Sequence, residues 1–347
     1  MGSFIAQYSY KEPPADAVRL HLNECLYGVP EFIVDVVSKV LARCNLYPNK
    51  VLFDRFRELL AEYVGVDKDE VYPFVGADSA LRAVFLMLAR PGDSVLHINP
   101  TFAMIHILTA NLGLRSIAID TYEDGDWWKV DIDMLIEKSK GVQLAAIVDP
   151  NNPTGGPVAK GDRHIVEAIA YNTKGYVVFD ETYFEYAGYS VARFLDSIPN
   201  LIVVRSMSKA FCLAGFRLGY LAARKDVIAR ITSINTSFDI PTPSLVAGIT
   251  ALENRRYMDN LVNEVKTLRE RLFKDLKSIG FKVFRSYTNF VVIKDPRPLD
   301  LMLREKGVYI KKFADSLYRV TVPPPNLYDQ FIESMVEIHE NSYTKQG

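Results

Sequence analysis

Short apolar runs that do not alternate with polar residues recur through the middle of the chain: Val71–Val75, Ser94–Ile98, Arg115–Asp120, Leu144–Asp149, Tyr176–Asp180, Leu201–Ser206 and Gly219–Ala223. A strand covered on one face alternates, whereas a strand covered on both faces reads as a continuous apolar run. Segments with helical spacing, such as Ser79–Ala89 and Asp162–Tyr171, sit between several of these runs. That order predicts an α/β fold: a large domain over residues 31–240 whose seven-stranded, mostly parallel sheet carries helices on both faces. After Pro241-Thr242-Pro243 the pattern changes. Leu261, Val265, Leu268, Leu272, Leu276 and Ile279 recur at spacings of three and four among largely charged neighbours, predicting a long amphipathic helix over Tyr257–Ile279 that Gly280 ends. Phe281–Phe284, Asn289–Lys294, Val308–Lys311 and Tyr318–Val322 read as strands, and Leu327 to His339 as a closing helix. A smaller α+β domain over 241–347 is the expectation.

Composition narrows the classes. With 347 residues, about two domains are expected. Hydrophobic residues at 49% and charged residues at 24% exclude a disordered chain. A balance of 41 basic against 42 acidic residues argues against a nucleic-acid binder, which shows a basic excess. No stretch approaches the ~20 apolar residues that span a bilayer. Met1–Gln7 has neither basic residues nor an apolar core, so no signal peptide is expected, and the chain reads as soluble and cytoplasmic. Cys25, Cys44 and Cys212 lie far apart with no Cys-x-x-Cys pair, and the five histidines are scattered. Neither a disulfide framework nor a metal site is expected from that spacing.

Glycine-rich nucleotide loops and the Gly-x-Ser-x-Gly elbow are missing, which counts against dehydrogenases, P-loop enzymes and serine hydrolases. Four other features sit at strand ends, where open α/β sheets bind ligands. Val75-Gly76-Ala77-Asp78-Ser79 runs from a strand into a helix, whose first amides suit a phosphate. Asp149-Pro150-Asn151-Asn152-Pro153-Thr154-Gly155-Gly156 follows a buried run and offers the amide of Asn152. Asp180, with Glu181, Thr182 and Tyr183 behind it, would hold a protonated ring nitrogen. Lys209 lies in Ser206-Met207-Ser208-Lys209-Ala210-Phe211, an apolar setting that activates an amine, and Ser206, Ser208 and the later Arg217 form a phosphate-binding set.

In that order, these motifs closely resemble the pyridoxal-phosphate aminotransferases of fold type I, from Leu22-Asn23-Glu24 to about Val322. Ser-Lys-Ala-Phe, Leu-Ala-Gly-Phe-Arg-Leu-Gly-Tyr and Asp180-Glu181-Thr182-Tyr183-Phe184-Glu185-Tyr186 look most like the histidinol-phosphate aminotransferase group. The resemblance implies that residues 1–30 form an N-terminal segment joining the small domain. It implies that Lys209 condenses with the cofactor aldehyde and then shuttles a proton, that Asp180 pairs with the pyridinium, and that Asn152 and Tyr183 bond the ring oxygen. Phe102 would stack on the ring. Ala77, Asp78, Ser206, Ser208, Arg217 and a partner subunit's tyrosine matching Tyr47 would hold the phosphate, so a homodimer is implied. Arg319 would clamp a substrate carboxylate, with Tyr27, Asn23 and Lys311 (or Lys312) toward the substrate side chain. Tyr27 too would come from across the interface. Cys25-Leu26 before Tyr27, lysine where the group has arginine, and Pro323-Pro324-Pro325 all depart on the substrate side. The implied reaction joins histidinol phosphate and 2-oxoglutarate; an aromatic amino-acid aminotransferase and a threonine-phosphate decarboxylase remain alternatives. No metal, nucleic acid or membrane enters this reading.

Overall fold

The computed structural model describes residues 12–236 and 238–344. Met1–Gln7, on which the signal-peptide reading rests, lie outside the described residues, as do the rest of the first eleven, Ser237 and 345–347. A two-residue strand, β1 (Val18–Arg19), comes first. The large sheet follows with β2 (Val71–Val75), β3 (Ser94–Asn99), β4 (Arg115–Asp124), β5 (Trp127–Val130), β6 (Leu144–Val148), β7 (Tyr176–Asp180), β8 (Leu201–Ser206) and β9 (Leu218–Ala223). Its spatial order is β2-β9-β8-β7-β6-β3-β4-β5. The pairings among β4, β3, β6, β7 and β8 are parallel; β9 runs antiparallel to both its neighbours.

All seven expected strands form, and an eighth, β5, is added. The Arg115 run continues to Asp124, turns through Gly125 at φ +56° and returns antiparallel. A two-residue loop needing a positive φ favours glycine there. The absence of alternation in the central strands has the expected cause: Leu144, Val177, Leu201, Ile202, Val203 and Val204 have no exposed surface. Each such burial stabilises by about 1.5–3 kcal/mol over exposure.

The small sheet is antiparallel, made of β10 (Lys282–Phe284) and β11 (Phe290–Lys294), then β13 (Lys311–Ala314) and β14 (Leu317–Thr321), in the order β10-β11-β14-β13. Between them β12 (Val308–Tyr309) pairs in parallel with β1 instead. The single strand expected over Val308–Lys311 is therefore two, because its two ends bond different partners on either side of Ile310. The amphipathic helix spans Arg256–Ile279, with Leu268, Leu272 and Leu276 buried. Gly280 ends it at φ +114°, where a Cβ would lie 2.7 Å from the His339 ring. Helix Thr242–Glu253 lies against helix Lys50–Val64: a Cβ on Gly248 would meet the Phe56 ring at 2.5 Å. Among the described residues no helix is long and apolar enough to cross a membrane.

Strand direction gathers the chemistry on one edge. Parallel β6, β7 and β8 bring Val148, Asp180 and Ser206 to the same end of the sheet. The registers Val75↔Leu218 and Ser206↔Gly219 then set the turn after β2, and the start of β9, beside them.

Candidate active site

A cavity of about 690 Å³ opens at that edge. Its floor is the first turn of helix Ala77–Leu88, which Gly76 enters at φ +80°. A Cβ on Gly76 would lie 2.6 Å from Arg217 Nη2, and one on Gly219 only 2.3 Å from the Ala77 nitrogen. Two glycines thus let a guanidinium and a strand close on the helix N-terminus, where unpaired amides and the helix dipole favour an anion. Arg217 itself takes the left-handed conformation, φ +52°, and its Nη2 lies 3.0 Å from Asp78 Oδ2. Ser206 and Ser208 flank this floor, the Ser208 amide donating to Ser206 Oγ at 3.1 Å.

Asp180 ends β7 almost wholly buried. The Thr182 amide and hydroxyl donate to its Oδ1 at 3.0 and 2.6 Å, which leaves Oδ2 for a ligand. Burial pushes its pKa up to about 6, against the pull of the Thr182 bonds. Beneath it, Arg205 Nε and Nη2 donate to Glu181 Oε2 at 3.0 and 2.9 Å, and the guanidinium lies 3.6 Å from the Phe184 ring centroid. This buried pair ties the ends of β7 and β8 together. An arginine inside the apolar run Leu201–Ser206 was the sequence signal for it, and Thr182 and Glu181 were visible only as neighbours of Asp180.

Lys209 Nζ donates to the Leu22 carbonyl at 3.0 Å. Burial first, and then the charge of Arg319, push its pKa down to about 8. Asn23 Nδ2 donates to the Tyr183 hydroxyl at 2.8 Å, while the Asn23 amide donates to Thr321 Oγ1 at 3.0 Å. Arg319 reaches in from β14: Nη1 donates to Asn152 Oδ1 and Nη2 to the His21 carbonyl, both at 2.6 Å. Asn152 thereby keeps its Nδ2 as a donor toward the cavity.

Lys311 and Arg319 are cross-strand partners on β13 and β14, so both side chains leave the same face of the small sheet. Lys311 lines the cavity and Lys312 does not. Phe102 lines the opposite wall, packed on the helix Ala77–Leu88 cluster. Beside it Thr101 has a buried hydroxyl with no partner in the protein; Arg82 and Met104, and Phe313 from β13, also line the cavity and were not foreseen from sequence. Tyr47 and Tyr27 stay outside the cavity. Tyr47 is 79% exposed and rests on Phe238 with ring centroids 4.7 Å apart, and Tyr27 is exposed with its hydroxyl pKa raised by burial and by Glu264.

The cysteine expectation needs correcting. Cys25 and Cys212 form a disulfide, Cα atoms 5.0 Å apart across 187 residues of sequence, and Cys44 alone is free. Local spacing carries no signal for partners so distant; the bond follows from residues 20–25 being laid across the site. Among the described residues no cluster of three or more His, Cys, Asp or Glu side chains is placed to hold a metal ion.

An open parallel sheet with an anion cradle, a strand-end acid and a desolvated lysine on one edge, covered by a small antiparallel sheet, is the fold type I architecture of aminotransferases. The chain belongs to the aminotransferase class I and II family, which it matches over residues 15–335. It is 40% identical to the histidinol-phosphate aminotransferase of Sulfurisphaera tokodaii, over 98% of this chain and 95% of that one. It is 29% identical to the enzyme of the same name from Thermoanaerobacter pseudethanolicus, over 92% of each chain. The crystal structure of histidinol-phosphate aminotransferase from Sinorhizobium meliloti in complex with pyridoxal-5'-phosphate shares the fold at a TM-score of 0.84, with 21% identity, 94% of this chain and 91% of that chain covered.

Proposed function

We propose that this aminotransferase uses pyridoxal phosphate to move an amino group between histidinol phosphate and 2-oxoglutarate. The observation that carries the reading is the side-by-side placement of Lys311 and Arg319 facing Lys209. Like charges directly opposite on adjacent strands destabilise a sheet unless something compensates them. Both partners of this reaction bring a compensating anion close to the reacting carbon: a phosphate ester in histidinol phosphate, a carboxylate in glutamate and 2-oxoglutarate. The cavity as a whole is cationic, lined by five basic side chains and three carboxylates in a chain of net charge −1.

The donor set fits the cofactor. When bound, pyridoxal phosphate supplies an electron sink for the substrate carbon that loses a proton. The Ala77 and Asp78 amides, Ser206, Ser208 and Arg217 would hold its phosphate, and the orphan hydroxyl of Thr101 faces the same space. Oδ2 of Asp180 would accept the ring N–H, Asn152 and Tyr183 would donate to the ring oxygen, and Phe102 would cover one face. Lys209, its amine neutral in a large fraction of molecules near pH 8, would hold the cofactor through its aldehyde carbon and would serve as the base that moves the substrate Cα proton. Arg319 orients the substrate anion and Asn152 together.

Glu24 favours an imidazole over a phenyl ring. Its carboxylate lines the cavity, paired to Arg19 at 3.2 Å, and gives an imidazole N–H a partner that phenylalanine has no use for. A second copy of the chain is part of the proposal. Val29, Phe32, Val34, Leu46, Tyr47 and Val51 are exposed along one segment, an apolar patch of the kind that marks an interface. Across it, Tyr27 and Tyr47 would reach the partner's site, and the enzyme would work in the cytoplasm.

The test is a single-turnover experiment on cofactor-loaded protein, sized by light scattering, with no keto acid present. Histidinol phosphate is expected to discharge the yellow absorbance with one equivalent of amino group retained, and phenylalanine to do so more slowly. Carbon dioxide release from threonine phosphate alone would replace this reading with the decarboxylase. A monomeric, fully active protein would remove the interface.

A further inference from the structure

The chain segment from Leu20 to Cys25 joins the two halves of the site. On one side it is bonded to the small sheet and its approach: the Arg319 guanidinium donates to the His21 carbonyl, Asn289 Nδ2 donates to the Asn23 carbonyl at 3.1 Å, and Thr321 donates from its amide and its hydroxyl to the Leu20 carbonyl, both at 2.9 Å. On the other side it meets the large sheet at three points: the Lys209 amine on the Leu22 carbonyl, Asn23 on the Tyr183 hydroxyl, and the Cys25–Cys212 disulfide. Cys212 stands three residues after Lys209, at φ +58°, in the same tight loop, where the Cys212 amide donates to the Lys209 carbonyl.

The first two of these large-sheet contacts are made by the groups the reaction uses. Lys209 must leave the Leu22 carbonyl to bond cofactor or substrate, whereas the Tyr183 hydroxyl keeps accepting from Asn23 while its own O–H turns to the ring oxygen. During turnover, then, the disulfide is the contact between segment and Lys209 loop that persists.

We propose that Cys25 and Cys212 are positioning residues: their bond holds the Leu22–Tyr27 segment closed over the Lys209 amine, so that substrate affinity depends on the oxidation state of this pair. The inference rests on Lys209 and Arg319 being the two anchors of the reaction. In the oxidised protein the segment spans both sheets. When a small dithiol donates two electrons and two protons, the S–S bond becomes two thiols and the dithiol becomes its own cyclic disulfide. The segment then stays with Arg319, Thr321 and Asn289, and separates from Lys209 as soon as the amine is engaged. Cys25 is half-buried, open enough for a small reductant, while Cys212 is buried beneath it.

The experiment compares the oxidised holoenzyme, the dithiol-reduced holoenzyme and the variants Cys25→Ser and Cys212→Ser. Thiol titration of the denatured proteins comes first: one thiol is expected before reduction and three after. Three thiols in protein equilibrated with an oxidised glutathione buffer would end the proposal. Limited proteolysis of the cofactor-loaded protein, with no substrate added, is expected to cut within residues 22–30 roughly tenfold faster once the bond is gone. KM for the amino donor is expected to rise roughly tenfold with kcat and cofactor affinity within about twofold, the signature of lost substrate positioning. Equal cleavage rates and equal KM in all four samples would overturn it. Cleavage and thiol counts are read without turnover, so they decide this proposal even if histidinol phosphate proves to be the wrong donor.

Discussion

The proposed cofactor side and the proposed substrate side of the cavity are built in opposite ways. On the cofactor side the strand-end acid and the serine pair are held by close neighbours in sequence: Thr182 bonds Asp180 and Ser208 bonds Ser206, each two residues apart. The sheet supplies the rest, since register alone sets Gly76, Arg217 and Ser206 together. On the substrate side the bonds join distant parts of the chain: Asn23 to Tyr183 across 160 residues, Lys209 to Leu22 across 187, and Arg319 to His21 across 298. The first kind of site is rigid once its strands form. The second exists only while two sheets and an N-terminal segment stay in register. A site that keeps its cofactor but must admit and release two substrates gains from that division.

Replacing the anchor of each side tests the contrast. Lys209→Ala should cost the most, beyond the ~10²–10⁴-fold typical of a lost general acid–base, because the covalent attachment goes too. Steady-state rates measure it, and cofactor added to this variant should still bind noncovalently at the Arg217 cradle. Activity within tenfold of the parent would remove Lys209 from the chemistry.

Arg319→Ala should come next. Removing one partner of a buried charged contact costs about 2–5 kcal/mol, or roughly 30-fold and upward in kcat/KM. Cofactor affinity should change little, and Arg319→Lys should recover only part of the loss because the fork to Asn152 and the substrate anion is gone. If cofactor affinity fell as far as kcat/KM, the two sides would not be separable.

Thr182→Val should have the smallest effect and the most specific one. It removes the hydroxyl that bonds Asp180 Oδ1 and so favours the protonated acid. A cationic ring nitrogen needs the carboxylate, so cofactor affinity in the parent should weaken as pH falls through about 6. In the variant that fall should begin at a pH higher by about one unit, the equivalent of one charge-assisted hydrogen bond. An unmoved midpoint in the pH–affinity curve would show that Thr182 does not tune Asp180.

The same contrast explains what was legible. The motifs proposed to hold the cofactor are contiguous, so Gly76-Ala77-Asp78, Asp180 and Ser206–Lys209 could be picked out in the sequence as one candidate set, as could the strands that carry them. The unbroken apolar runs are a direct imprint of two-sided burial. Lys311 and Lys312 were indistinguishable in sequence; only the pairing of Lys311 with Arg319 puts one of them on the cavity face. The disulfide, the β1–β12 pair and the split of Val308–Lys311 share one cause, since each depends on residues brought together from far along the chain. Thr101 was hidden for another reason: a threonine beside a stacking aromatic is unremarkable until its hydroxyl is seen buried without a partner.

Leu20 and Thr321 share hydrogen bonds 301 residues apart, so during synthesis the Leu20 segment must wait for a strand made 301 residues after it. Until then the nascent chain carries an assembled cofactor cradle with an open roof. Contacts of such separation close slowly because loop entropy is lost before they form. Refolding should therefore regain cofactor binding before it regains turnover, and the interval between the two would time the arrival of β14 against the N-terminal segment.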